Sequence, residues 1–392
     1  MTKITRIIVL ILDGLGVGPS AGGQASASPP ASTLGRLCQA VPTLQLPNLR
    51  ELGLGHVGSF SRVPRTAQPS ACFGKLSPSS AGAGSLIGHW ELTGLIWRGG
   101  GEAPRALSEA TLKTFQDAIG RSVLGNKPGT QAEMLAEFGE AHLRTGWPIL
   151  YLGPGADCHV AMHERTAAGE ELVRIARALR AACKSGQQVL RVLAHAFTGE
   201  VGKFAPAIGE RLFVLEPPGT TVLDLAKQGG HPVAGIGRMD ELFAGRGLTR
   251  TIATSDASNT MEETIRTLAG VPRGLIVSSF AGQFFGQAGT AQAAEAAKQL
   301  EEFDMRVPDL LNALKSGDLL CITADYGATM GDLELASTPQ CVPLLAYGLR
   351  LANGVNLGTR KSMTDLGQTL ADALETPALS HGDSFLDALR VG

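Results

Sequence analysis

The sequence has 392 residues, of which 44% are hydrophobic and 5% aromatic, with 50 glycines and a formal net charge of −2. A length beyond the roughly 100–200 residues of one domain predicts at least two domains. The near-neutral charge argues against nucleic-acid binding, and no run reaches the roughly 20 apolar residues of a membrane helix. Six dispersed cysteines without a CxxC pair indicate buried thiols rather than a zinc or redox site. We therefore expect a cytoplasmic α/β protein.

Three continuous aliphatic runs are typical of buried parallel strands: Ile7–Leu12, Gly274–Val277 and Leu319–Thr323. The first run leads directly into Asp13, and the third is followed closely by Asp325. Ligands of open α/β sheets bind at the carboxyl ends of the strands, so both carboxylates are candidate functional groups. Each aspartate alone could equally be a helix cap or a turn former.

A glycine triplet at 99–101 and the Pro217-Pro218-Gly219 sequence bracket a block of different character. This block contains a helical pattern at Gly169–Lys184. Further short strands are predicted at 148–152, 189–194 and 211–216. We therefore predict that residues 101–219 form a smaller domain inserted into a first domain made of residues 1–100 and 220–392.

A long helical pattern covers Gln292–Lys315, with apolar residues at helical spacing. It contains Pro308, which lacks the backbone N–H of a helix interior. We expect the helix to be interrupted there.

Several motifs occur in one order along nearly the whole chain. The chief ones are ILDGLGVG at 11–18, SSAGAGSLIGHWELTGL at 79–95, GIGRMDELFAGRGLT at 235–249, DLLCITADYG at 318–327 and LGTRKSMTDLG at 357–367. Together they resemble the phosphopentomutase branch of the alkaline-phosphatase-like metalloenzymes. Cofactor-independent phosphoglycerate mutase shares that superfamily core, but the GHWE block and the short inserted domain favour the phosphopentomutase branch.

The resemblance implies a parallel-sheet core that holds two divalent cations, usually manganese, beneath a smaller α/β cap. Members of the family move phosphate between the 5 and 1 positions of ribose or deoxyribose through a phosphorylated hydroxyl residue. Ser85 stands where the family has its threonine nucleophile. Its preceding Lys-Asp pair is here Ala83-Gly84, so polar neighbours of the nucleophile have been lost.

The resemblance also implies that the metal ligands are only partly kept. Asp13 and Asp325 match two aspartates of the first metal, while Tyr326 replaces its histidine. The three ligands of the second metal fall at Gly282, Gln287 and Ser337. No Asp or His occurs between Val271 and Glu295, so a shift of the alignment restores neither ligand there. We expect at most one weakly bound divalent cation, Mn²⁺ or Mg²⁺, or none.

Three further residues are candidates for binding a phosphorylated sugar. Arg238 replaces a family lysine, His195 replaces a phosphate-binding arginine, and Asp157 stands two places after the position of a family acidic residue. The histidine could equally be structural. We expect Asp13, Asp325 and Ser85 to line one cleft between the two domains, with Arg238 at its edge and Tyr326 donating a hydrogen bond to the aspartate pair.

Two functional hypotheses follow. The first is a phosphopentomutase-like enzyme, an isomerase, whose activity is weak or altered because metal ligands are missing. The second is a non-catalytic relative that binds a phosphorylated ligand or a protein partner, or a phosphatase with a single metal ion. The sequence leaves the oligomeric state open.

Overall fold

The computed structural model describes residues 3–20, 32–82, 84–99, 104–153, 157–166, 169–183, 189–207, 211–280, 290–328 and 339–391. These residues divide into two compact units, Met1–Arg98 with Gly219–Gly392 and Gly99–Pro218. None of the described helices is long and apolar enough to cross a membrane.

Strands and helices alternate along much of the described chain. The strands are β1 (Arg6–Leu12), β2 (Gly18–Pro19), β3 (Cys72–Leu76), β4 (Leu124–Pro128), β5 (Ile149–Leu152), β6 (Asp157–His163), β7 (Arg191–Thr198), β8 (Ala205–Pro206), β9 (Arg211–Val214), β10 (Val233–Gly237), β11 (Arg250–Ile252), β12 (Gly274–Ser279), β13 (Asp318–Ala324), β14 (Gln340–Tyr347) and β15 (Asn356–Arg360). The helices are α1 (Thr33–Ala40), α2 (Pro47–Leu52), α3 (Ser85–Leu92), α4 (Glu109–Ile119), α5 (Gln131–Thr145), α6 (Gly169–Ala182), α7 (Val222–Gln228), α8 (Met239–Phe243), α9 (Ala257–Gly270), α10 (Thr290–Asn312) and α11 (Thr364–Ala373).

The first unit is built on a sheet with the strand order β11-β10-β12-β1-β13-β14-β3-β15, and β2 pairs with β14. The strands from β11 to β13 run parallel to one another, whereas β14 is antiparallel to both of its neighbours on this path. The three strands β1, β12 and β13 are fully buried, as their continuous aliphatic runs predict. The predicted α/β class with a parallel-sheet core is therefore confirmed.

The second unit has its own sheet, in the order β4-β5-β6-β7-β8, with β9 also paired to β7. Helices α4 and α6 pack on one face of this sheet around Ile175, Leu179 and Val160. Helix α5 contacts β4 and β5, and a smaller apolar cluster contains Met134, Tyr151 and Phe197. Each unit thus buries its own hydrophobic core.

The expected interruption at Pro308 is wrong, because α10 continues through the proline to Asn312. A proline removes one backbone hydrogen bond from a helix. Here Val307 and Leu310 are fully buried on either side of it. The burial of these side chains offsets the lost bond.

Candidate functional site

Two adjacent strands place Asp13 and Asp325 side by side. The parallel register of β1 and β13 pairs Leu12 with Ala324, so each aspartate is the next residue of its strand. The backbone N–H of Asp325 donates to Leu12 O over 3.3 Å. Both aspartates are buried, with only 1% of each exposed. The sheet therefore brings together two carboxylates that are distant in sequence.

The two oxygens of Asp325 have different surroundings. Oδ1 accepts hydrogen bonds from the backbone N–H groups of Gly14 and Tyr326, each at 2.9 Å. Oδ2 is buried and has no hydrogen-bond partner among the described residues. Burial and then the negative charge of Asp13 raise the pKa of Asp325 well above its usual range. The pair therefore requires a proton or a cation between its carboxylates.

Ser85 is the first residue of α3, and its side chain lies beside the two aspartate carboxylates. Its hydroxyl donates to Asp13 Oδ1 over 3.4 Å and lies close enough to Asp325 to interact with that carboxylate too. The preceding Gly84 has φ of 114°, a conformation that a side chain would strain. The structure thus brings Ser85, Asp13 and Asp325 together within the first unit. Their roles as nucleophile and metal ligands stay predictions.

Helix α3 meets the end of β13 at Gly88. A Cβ atom at this glycine would lie 1.9 Å from the carbonyl oxygen of Asp325. No side chain is compatible with that distance. The glycine of the GHWE block is therefore what lets the first turn of α3 approach the aspartate pair.

His89 is a buried residue of this site that the sequence reasoning did not single out. Its Nδ1 lies 2.7 Å from Ser85 O and 3.6 Å from Asp325 Oδ2. A carbonyl oxygen only accepts, so Nδ1 carries the proton and Nε2 accepts from the Ser279 hydroxyl at 2.8 Å. Burial lowers the pKa of His89 to about 4, against a weaker opposing effect of the hydrogen bond to Ser85, so the imidazole is neutral at pH 7.

Glu91 holds the loop that leads into Ser85. Its carboxylate, 1% exposed, accepts from the backbone N–H groups of Ser79 and Ser80 at 2.7 and 2.8 Å. It also accepts from the Ser362 hydroxyl and from Met363 N. The histidine of GHWE therefore contacts Ser85 itself, and the glutamate holds the loop that precedes it. In the sequence, the GHWE motif was the feature that could have identified His89 and Glu91 as residues of the site.

The other predicted site residues have partners of their own. Arg238 precedes α8, pairs with Glu241 at 2.7 Å, and is close enough to His89 for its charge to affect the histidine. In the second unit, both Asp157 oxygens accept from Arg191 at 2.6 Å.

His195 also lies in the second unit, where Nε2 forms a hydrogen bond with His159 Nδ1 at 2.8 Å. Tyr326 contributes its backbone N–H to Asp325. The three positions at which the family has ligands of the second metal lie outside the described residues: Gly282, Gln287 and Ser337. Sugar binding by Arg238, Asp157 and His195 stays a prediction.

The described oxygen donors suit a hard divalent cation. Two carboxylates and a hydroxyl oxygen converge, and one carboxylate oxygen has no described hydrogen-bond partner. Oxygen donors of this kind suit Mg²⁺ or Mn²⁺, which complete their coordination with water. Within the described ranges, no cluster of three or more His, Cys, Asp or Glu side chains is present.

A comparison with protein families gives the broad class of this protein. A profile of the Metalloenzyme superfamily matches residues 246–378, which include β12, β13 and Asp325. The mixed α/β core and the aspartates at its strand ends accord with that class.

Curated relatives define the family. A phosphopentomutase of Alkaliphilus metalliredigens is 33% identical over 384 residues, 97% of this chain and 98% of the relative. Phosphopentomutases of Desulfitobacterium hafniense and Dictyoglomus thermophilum are also 33% identical, with 98% and 99% of this chain aligned and 99% of each relative. The chain belongs to the phosphopentomutase family.

Proposed function

We propose that this protein transfers phosphate from a small phosphorylated sugar to Ser85, with at most one weakly bound divalent cation, and that its pentose mutase activity is slow or lost. The observation that carries this proposal is the convergence of Ser85, Asp13 and Asp325 around an oxygen that has no described hydrogen-bond partner. Family membership supports the substrate class, since the relatives are named phosphopentomutases.

In the proposed chemistry, Asp13 accepts the hydroxyl proton of Ser85 as the Ser85 oxygen attacks phosphorus. The bond between phosphorus and the sugar oxygen breaks, the sugar oxygen takes a proton from water, and Asp13 returns the Ser85 proton to the solvent. A bound cation, held by Asp13, Asp325 and Ser85, would supply positive charge opposite the phosphoryl oxygens. Position 85 at the start of α3 also places an anion where a helix N-terminus favours it.

The ligand count supports the reduced activity. Phosphoryl transfer depends on concentrated positive charge, and a two-metal centre stabilises both the attacking and the leaving oxygen. Asp and His are absent from residues 271–295, where the resemblance places two ligands of the second metal. A missing metal plausibly costs several kcal/mol, and each 1.36 kcal/mol corresponds to about a tenfold loss in rate.

Metal analysis tests the cofactor part of the proposal. We expect no more than one Mn²⁺ per chain after incubation with excess metal and gel filtration, measured by plasma mass spectrometry. Asp13→Asn should lower the bound metal further, whereas Asp387→Asn, an exposed control, should not. Two well-occupied manganese ions about 3.5–4 Å apart in a soaked crystal would contradict the proposal.

Phosphorylation of Ser85 tests the chemistry. Intact-mass spectrometry after incubation with ribose 5-phosphate and Mn²⁺ should show one added phosphate in the wild type and none in Ser85→Ala. Conversion to ribose 1-phosphate should be far below the ordinary turnover of about 10 s⁻¹. A turnover of that order would refute the slow-mutase part.

The second candidate, a non-catalytic phosphosugar-binding relative, is favoured by the same missing ligands. It predicts binding of ribose 5-phosphate without any phosphorylation of Ser85.

We further propose that Gly99–Pro218 acts as the substrate cap, which is tested by whether substrate protects this unit in hydrogen exchange. We also propose that the protein is cytoplasmic, which cell fractionation tests.

A further inference from the structure

A cavity of about 280 Å³ lies beside β15, the strand at one edge of the sheet in the first unit. Its wall is formed by β3, by β15 and by the part of the chain between α2 and β3. The described residues of this wall do not include Ser85, Asp13 or Asp325. We call it the edge cavity. It is therefore a separate feature from the site at the aspartate pair.

The wall of the edge cavity is positively charged. Arg65 and Lys75 line it, and its described lining contains no Asp or Glu. The chain around it is one-sided in the same way, because residues 52–90 and 335–364 contain lysines and arginines but no Asp or Glu. Glu51, which precedes the first of these segments, is paired with its neighbour in sequence and lies outside the wall. Such a local excess of positive charge attracts anions even though the whole chain has a net charge of −2.

The two cations of the wall lack counter-ions in the described part of the chain. Neither Arg65 nor Lys75 forms a hydrogen bond or an ion pair with a described residue. The nearby Arg360, in contrast, is paired with Asp365 at 2.8 Å. Lys75 lies inside β3 and is only partly exposed, so its ammonium group has lost part of its water without gaining a carboxylate. A bound anion would supply the missing negative charge.

Neutral groups of the same wall add hydrogen-bond donors. Asn356 Oδ1 accepts from Gly358 N at 2.9 Å, which leaves the amide nitrogen of Asn356 to donate to a ligand. The hydroxyl groups of Ser59 and Thr359 also line the cavity, and neither has a hydrogen-bond partner among the described residues. Donors without acceptors of their own suit a group whose oxygens only accept, as those of a phosphate dianion do.

We propose that the edge cavity binds the phosphate group of a small metabolite. Arg65 and Lys75 match its two negative charges, and the hydroxyls of Ser59 and Thr359 donate to its oxygens. A carboxylate carries one charge and two oxygens, so it uses fewer of these donors and binds more weakly. This inference goes beyond the proposed transfer to Ser85 and does not rest on it.

A titration that is read at the cavity itself tests the proposal. The full chain, labelled with ¹⁵N-lysine, is titrated with inorganic phosphate in EDTA at constant ionic strength and about pH 8, where phosphate is largely a dianion. The Lys75 amide signal, identified by its absence in Lys75→Gln, should shift to saturation. Acetate should bind about tenfold more weakly. An unmoved Lys75 signal, or equal affinity for acetate, would overturn the proposal.

Matched variants locate the phosphate. Arg65 is exposed, so Arg65→Gln should fold normally and should weaken binding about tenfold, while Arg65→Lys should restore part of it. Thr359→Val keeps the shape of the side chain without its hydroxyl and should weaken binding several-fold. Lys361→Gln removes one exposed charge near β15 but outside the wall, and it should have little effect. An equal loss in Lys361→Gln and Arg65→Gln would show diffuse attraction instead of a site, and would refute the assignment.

A further variant separates this inference from the proposed function. Ser85→Ala should leave the response of Lys75 to phosphate unchanged. If that response disappeared in Ser85→Ala and persisted in Arg65→Gln, phosphate would bind at the aspartate pair and the edge cavity would be refuted. If Lys75 responds as described but Ser85 is never phosphorylated, the edge cavity stands and the proposed transfer fails.

Discussion

Asp325 is the residue whose environment most clearly conflicts with its charge. It is buried beside Asp13, and one of its oxygens lacks a described hydrogen bond. Its raised pKa means that the ionised form is less favourable in the folded protein than in the unfolded chain. The folded state therefore loses stability as the pH rises from the usual carboxyl range towards the raised pKa of Asp325 in the folded protein. Without a cation, the ionised carboxylate of Asp325 therefore destabilises the fold.

We expect Asp325→Asn to stabilise the protein in EDTA, because the substitution removes the repulsion from Asp13 while the amide oxygen still accepts from Gly14 N and Tyr326 N. The thermal midpoint should rise by about 2 °C or more, measured by calorimetry. Added MnCl₂ should stabilise the wild type and leave Asp325→Asn unchanged, since metal binding to the native state raises stability. A lower midpoint for the variant in EDTA would contradict this account of the pair.

At the scale of elements, two contacts hold the strands that carry the site. The close approach of α3 to the end of β13 depends on Gly88, and the opposite ends of β1 and β13 are joined by Arg6 and Asp318. The guanidinium of Arg6 is fully buried and also donates to Leu268 O and Val271 O near the end of α9. The contact at Gly88 places Ser85 beside the aspartates, and the contact of Arg6 ties the sheet to a covering helix.

Gly88→Ala should destabilise the protein by about 1–3 kcal/mol, because its Cβ meets the backbone of Asp325 and the helix must shift. Urea denaturation measures the free energy of unfolding. Gly270→Ala is the control: it also lies in a helix, but its Cβ would meet nothing within 4 Å, so a gain of about 0.5–1 kcal/mol is expected. Equal effects at the two glycines would contradict the close contact.

Asp318→Ala should cost about 3–5 kcal/mol, because it leaves the buried guanidinium of Arg6 without its counter-ion. The double variant Arg6→Met with Asp318→Leu should lose much less than the sum of the single variants, since no charge remains buried. The same urea series measures both. Additive losses in the double variant would show that the two side chains do not act as a pair.

On the scale of the whole molecule, buried histidines make the stability of the second unit sensitive to acid. Three imidazoles of the second unit, at His142, His159 and His195, have a lowered pKa, chiefly because of burial. For His159, whose pKa falls to about 4, the charges of His195 and Arg191 add to the effect of burial. These side chains are neutral in the folded state and gain a proton more readily when the unit unfolds.

The stability of Gly99–Pro218 should therefore decrease as the pH falls from about 6.5, the usual pKa of histidine, towards 4. Above 6.5 both states are neutral, and these groups add no pH dependence. Hydrogen exchange at pH 6.5 and 4.5, corrected for intrinsic rates, should show a larger loss of protection in β6 and β7 for the wild type than for His159→Gln. His381→Gln, in the first unit, serves as the control. If His159→Gln lost as much protection between pH 6.5 and 4.5 as the wild type, the buried histidine would not be the cause of the acid sensitivity.

Local patterns in the sequence determined much of this architecture. The buried strands β1, β12 and β13 were predicted because their aliphatic runs are continuous, and Asp13 and Asp325 were singled out because each follows such a run. The ordered motifs indicated the phosphopentomutase family, which the curated relatives confirm.

Only the tertiary structure decided which side chains meet and what each one does there. Ser85 and Asp13 are 72 positions apart, and Gly14 and Asp325 are 311 apart. No local pattern encodes such contacts, because they depend on strand order and on helix packing. The same holds for the partners of His89, which lie on two other elements, and for Arg191, which occupies both oxygens of Asp157. Sequence patterns report which residues are buried, whereas the free energy of a buried polar group depends on partners that only the folded chain supplies.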